Sequence, residues 1–169
     1  LGVNKAKKNW NSVGDHAPAY LINLYLATGE ENYAKFLEDT FDTICDHFPD
    51  YGYSPFMNEK FFDDWTHDLK WGIHQARCVV GHNLKVAWNL TRMHSLMPKE
   101  SYKTFAHQIA DAIPAAGCDN QRGGWYDMME RTLKDGEENY RRVWHDRKAW
   151  WQQEQGILAY YIMAGVYDD

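Results

Sequence analysis

Apolar residues recur along this chain with the period of a helix, and the pattern comes twice. From Tyr33 they fall at Phe36, Leu37, Phe41, Ile44, Cys45 and Phe48, the i, i+3, i+4 stripe of a helix with one face in a core and the other in water. The stripe returns at Tyr102, Phe105, Ala106, Ile109, Ala110 and Ile113, preceded by Pro98 and Glu100 and followed by Pro114 and Gly117, residue types that start and stop helices. The two stripes lie 69 residues apart, and the same offset lays Ala19 to Glu31 over Trp88 to Glu100 without a gap. An internal repeat follows. Each copy holds a helix apolar on most sides, a short turn (Thr28-Gly29, then Met97-Pro98), a one-striped helix, and an aromatic loop region, Tyr51 to Trp71 or Gly123 to Tyr140. A third copy starts near Trp150.

A helix that is apolar all round must be covered on every side, so the segments near 16–27, 82–97 and 150–165 are expected to be inner helices and the striped ones outer. Helical hairpins stacked side by side give an open solenoid or a closed double ring. The expected fold class is therefore all-α, with one or two small β-hairpins in the long loops after the outer helices. In either arrangement the inner helices run parallel and their N-termini meet at one end. Stepping by 69 residues through their starts gives His16, Lys85 and Glu154, with His82 one turn before Lys85 and Trp150 and Trp151 one turn before Glu154. Histidine, carboxylate, lysine and paired indoles around one mouth suit proton transfer on a carbohydrate. The competing reading is that polar residues there only cap free amides.

Composition narrows the field. The chain has 169 residues, enough for one domain with its own core, and a net charge of −6 that repels phosphate backbones and anionic lipid. No nucleic-acid or membrane partner is expected, since the longest apolar run, Ile157 to Val166, is too short to span a bilayer. Aromatic residues make 15% of the chain, more than a generic helical core needs, and rings that stack on sugar faces are one use for the excess. Cys45, Cys78 and Cys118 cannot all pair and lack metal-ligand spacing, so free thiols, a cytoplasmic location and no metal are expected. No cofactor motif is present either.

Among eight histidines, His82 is the leading general acid or base, because a neutral imidazole can take a proton near pH 7. His47, His94 and His107 fall on helices as ordinary packing or surface residues, and His67, His74 and His145 have no periodic partners. Trp150 and Trp151 are about 100° apart around their helix, so at most one points straight at a ligand while the other walls the pocket. Gly123-Gly124-Trp125-Tyr126-Asp127 reads as a turn into a short aromatic strand, with a structural role. The glycosylation sequon Asn89-Leu90-Thr91 lies inside an expected buried helix and is discounted.

At these residues the sequence resembles the N-acylglucosamine 2-epimerase family, which includes cellobiose 2-epimerases and aldose-ketose isomerases on an (α/α)6 barrel. Gly81-His82-Asn83-Leu84-Lys85-Val86-Ala87-Trp88 is similar to its G-H-x-x-E-x-x-W segment, and Lys148-Ala149-Trp150-Trp151-Gln152-Gln153-Glu154 to its K-x-W-W-x-Q segment. Gly123 to Asp127 resembles its G-G-x-Y-[DE] hairpin, and Asn11 to Tyr20 loosely its N-terminal helix. The resemblance implies catalytic roles for His82, Glu154 and His16, and substrate contacts from Lys85, Trp88, Trp150 and Trp151. It implies a small-molecule reducing sugar as partner, an isomerase if the full barrel is present, and admits a homodimer. Lys85 stands where the family commonly has Glu, and Gln155 occupies its usual carboxylate slot, one residue beyond Glu154. At 69 residues per hairpin the chain holds about two and a half of six, so it is expected to form one incomplete (α/α)6 barrel domain. A second proton-transfer His and an Arg that stabilises developing charge are implied outside it.

Two other readings stay open. A glycoside hydrolase on a related toroid would need two opposed carboxylates, for which Asp15, Asp127 and Glu154 are the candidates. A non-catalytic helical-repeat module for carbohydrate binding or scaffolding would need neither.

Overall fold

The computed structural model describes residues 8–11, 16–67 and 76–168. Five helices follow the repeat. Inner helix α1 (His16–Thr28) is joined to outer helix α2 (Glu31–His47), and inner helix α3 (Val80–Leu96) to outer helix α4 (Glu100–Gly117). Inner helix α5 (Trp150–Tyr167) follows. The turn between α1 and α2 is made by Gly29, whose backbone at φ +68° is left-handed and whose N–H closes on the Tyr25 carbonyl at 2.8 Å, a position where a side chain would be strained.

The amphipathic stripes do what their period requires. Leu37, Phe41 and Ile44 of α2 and Tyr102, Phe105, Ile109 and Ile113 of α4 are buried in one core with Leu84, Val86 and Leu90 of α3. The outer helices also clasp each other: Lys99 reaches Asp42 at 2.7 Å and Glu38 at 2.8 Å, and the Tyr102 hydroxyl donates to Asp42 at 2.8 Å. The central inner helix α3 packs against α4, α5 and α1. The flanking inner helices are apolar all round, as the pattern said, yet covered on fewer sides: Tyr20 and Leu26 of α1 and Ile157 and Tyr161 of α5 are exposed. The sequon is closed to modification, with Asn89 and Thr91 both fully buried.

The strands correct the expectation of local hairpins. β1 (Lys8–Asn9) pairs antiparallel with β2 (Lys60–Phe61), and β3 (Arg77–Val79) with β4 (Met128–Glu130). Each pair ties the segment entering an inner helix to the segment leaving its outer partner. Those segments meet because both ends of a helical hairpin lie at the same end of the molecule, and pairing satisfies their backbone groups. The register repeats as well: Lys8 faces Phe61 as Arg77 faces Glu130, 69 residues on. Local folding back does occur in the second loop region, where Cys118 bridges Trp125 and Met129 bridges Arg142. Gly123 and Gly124, both at positive φ, make the first of these turns, and Asp119 accepts from the Gln121 and Arg122 amides inside it.

Candidate functional site

His82 is the third residue of α3 and is buried. Its Nδ1 lies 2.8 Å from Oε1 of Glu59. An ionised carboxylate only accepts, so Nδ1 carries the proton and Nε2 is the basic nitrogen of the ring. Glu59 is held by its neighbours rather than by a helix. The Met57 amide donates to Asn83 Oδ1 at 2.9 Å, and Asn83 Nδ2 anchors on the Val79 carbonyl at 3.0 Å. Arg131, just past β4, is buried and donates to the carbonyls of Phe56, at 2.7 Å, and Met57, while pairing with buried Asp50 at 2.7 Å. Two elements of the repeat thus fix the stretch that presents Glu59 to the imidazole.

α5 closes on α3 at the same point. The Trp151 ring centroid is 5.8 Å from that of His82. Gly81 permits the approach: a Cβ there would stand 2.6 Å from both Gln152 Cγ and the Trp151 ring. Gln152 is buried, accepts from the Gly81 amide at 2.6 Å and donates to Asp127 Oδ1 at 3.0 Å. Asp127 is consumed by this bracket. Its Oδ1 also takes the Ala149 amide that opens α5, its Oδ2 pairs with Arg147 at 2.7 Å, and its carbonyl accepts from Val80 at 3.3 Å. Gln153 does the same for Trp125, accepting from its amide at 2.7 Å and donating to its carbonyl at 2.9 Å. The amides of Val80 and Gly81, the first two of α3, are therefore occupied by protein groups.

The remaining candidates are distributed as follows. Trp88 is buried one and a half turns below His82, its indole N–H donating to Gln155 at 2.8 Å. Lys85, between them, is half-buried. Trp150 is exposed, leaving Trp151 as the indole beside the imidazole. Glu154 and His16 are both exposed, Glu154 on α5 and His16 as the first residue of α1. Gln155, not Glu154, meets Trp88. Asp15 and His74 lie outside the described residues. His47 stacks on Trp65 with centroids 3.9 Å apart, His67 is 3.7 Å from Asp50, and His94 contacts the Lys99 carbonyl at 3.0 Å.

Sequence reasoning missed Glu59, Asn83 as a loop anchor, and the Arg131–Asp50 pair. No period marks them; Asn58-Glu59, just before β2, is a polar pair in an aromatic loop and carries no spacing that points to α3. Among the described residues no three His, Cys, Asp or Glu side chains are grouped to hold a metal ion. No helix among them is long and apolar enough to cross a membrane.

No family model and no curated protein matches the chain. Solved structures do. A cellobiose 2-epimerase from Spirochaeta thermophila matches 98% of the chain at a TM-score of 0.71 and 15% identity. A D-mannose isomerase matches 99% at a TM-score of 0.71 and 20% identity. A family 105 glycoside hydrolase from C. acetobutylicum matches 88% at a TM-score of 0.59 and 15% identity. The chain spans about 40% of the length of the first two and 38% of the third. It thus has the fold of part of an α/α toroid, of the kind found in sugar epimerases and isomerases.

Proposed function

We propose that the chain forms the central hairpins of an (α/α)6 barrel, as one incomplete domain, whose mouth inverts or isomerises a reducing sugar at C2. The observation that carries this is the buried His82–Glu59 pair beside the Trp151 indole, at the N-terminal end of an inner helix. The exposed apolar residues of α1 and α5 support the barrel reading, since further hairpins on either side would cover them.

The chemistry follows from what C2 requires. In the open-chain sugar the C1 carbonyl acidifies the C2 proton; a base removes it, an enediolate forms, and a proton returns to C2 or, for isomerisation, to C1. His82 Nε2 is the base, and Glu59 holds the ring in the matching tautomer and steadies the imidazolium formed. Trp151 walls the sugar. The amides of Val80 and Gly81 are already bonded, so the enediolate charge is left to a cation that further hairpins would supply. Inversion needs a second proton-transfer group on the opposite face, which further hairpins would supply.

Asp127 argues against a glycosidase, because both its oxygens are bonded within the protein. The test is exchange at C2 in D2O, followed by NMR, with mannose, glucose, N-acetylglucosamine and cellobiose. Slow exchange that His82→Asn abolishes is expected of the 169-residue chain. Equal exchange by wild type and variant would refute the role of His82, and full-rate exchange by the isolated chain would refute the incomplete barrel.

A further inference from the structure

Resting on that reading, the structure assigns the sugar a charge: we infer that the substrate carries an anionic oxyacid group, a carboxylate or a phosphate, at the end remote from C2. Between Val80 and Met93 every residue of α3 is buried except Lys85 and Arg92. Over that stretch the two gaps in the covered surface of the helix are both cations, on the same side as His82.

Neither cation is neutralised by a described residue. Among the described residues Lys85 makes no hydrogen bond or ion pair, and Arg92 has no carboxylate partner. Arg92 donates to the neutral side chain of Asn23 at 2.8 Å, and its guanidinium carbon lies 5.8 Å from the Trp88 ring, so its head leans back one turn toward Lys85. Burial pushes its guanidinium below the usual value. Among the described residues Glu59 is committed to His82, and Glu154 sits exposed on α5 without an ion pair. In a chain of net charge −6, with Lys99, Lys134, Lys148, Arg131 and Arg141 all paired to carboxylates, two unanswered cations on one inner face form a receptor for an anion. Lys85 is one helical turn from His82, about 4.5 Å of rise, and Arg92 is two turns further. A sugar with its C2 at the imidazole would point its far end along this line, over Trp88.

The experiment titrates the chain with mannose, glucuronate, glucose 6-phosphate and inorganic phosphate, reading tryptophan fluorescence and calorimetric heat at low salt. Expected is at least about tenfold tighter binding of one charged sugar than of mannose, with the preference lost in Lys85→Met and reduced in Arg92→Met. Glucuronate against glucose 6-phosphate tells which oxyacid is meant. Parity of charged and neutral sugars, a preference that survives in Lys85→Met, or inorganic phosphate binding as tightly as the sugar phosphate would each overturn the inference. Mannose binding with rejection of both charged sugars sinks the charge assignment and leaves the sugar site standing. Binding of no sugar at all removes both.

Discussion

Glu59 and His82 are separated by 23 residues in sequence and by 2.8 Å in space, and the carboxylate fixes which imidazole nitrogen is basic. Replacing it tests the pair directly. Glu59→Ala removes the carboxylate that sets the tautomer, and C2 exchange should fall by up to about ten-thousandfold, as when the orienting carboxylate of a catalytic histidine is lost. Nitrogen-15 spectra of the imidazole should show a single Nδ1–H tautomer in the wild type and a mixture in the variant. An unchanged spectrum would mean that Glu59 does not set the tautomer.

Arg131 and Asp50 form an ion pair that is almost wholly buried. Removing one partner strands the other, so Arg131→Met should cost about 3–5 kcal/mol of stability in urea unfolding. A loss below 1 kcal/mol would show that the 56–59 stretch holds itself.

Close packing at two glycines gives a steric prediction. A Cβ on Gly156 would stand 1.9 Å from Trp125 Nε1, and one on Gly81 would meet α5 at 2.6 Å. Gly156→Ala and Gly81→Ala should each destabilise by about 1–3 kcal/mol through overpacking, and Gly81→Ala should also weaken the quenching of Trp151 by its neighbours. Gly165, which has open space around its Cβ position, is the control, and its alanine variant should be no less stable than the wild type.

Lys148 hydrogen-bonds Asp119 at 2.7 Å and, with the Arg122 and Gln121 amides, holds its carboxyl well below the usual carboxylate range. A depressed folded-state value gives stabilisation that is complete above about pH 4 and is lost as pH falls toward the lowered value. Lys148→Met should therefore move the acid-unfolding midpoint to higher pH. A midpoint that stays put would mean that the 119–124 turn does not contribute to the acid limb.

Burial pushes the Cys45 thiol up to about 12, with Asp42 adding to the shift, and burial likewise raises Cys78. At pH 8 a thiol at that value is thiolate to about one part in ten thousand. Iodoacetamide should leave both unlabelled in the native protein and label them after unfolding. Rapid native labelling of Cys78 would contradict the packing of β3.

The repeat was legible because it is written in local periods. Helix type depends on residues three and four apart, so the inner and outer helices, the turn at Gly29 and the meeting of His82 with the Trp150-Trp151 segment could be read from sequence alone. Resemblance added the α/α toroid to that all-α reading, which the matches to solved sugar epimerases and isomerases bear out. What joins distant segments was not legible. The pairing of β3 with β4, Glu59 against His82, Arg131 under Asp50 and the bracket of Asp127 around Gln152 connect positions 23 to 81 residues apart. Such contacts lie in irregular loops with no period to announce them. The hydrogen bond from Trp88 to Gln155 likewise joins positions 67 residues apart and forms only when the helices pack.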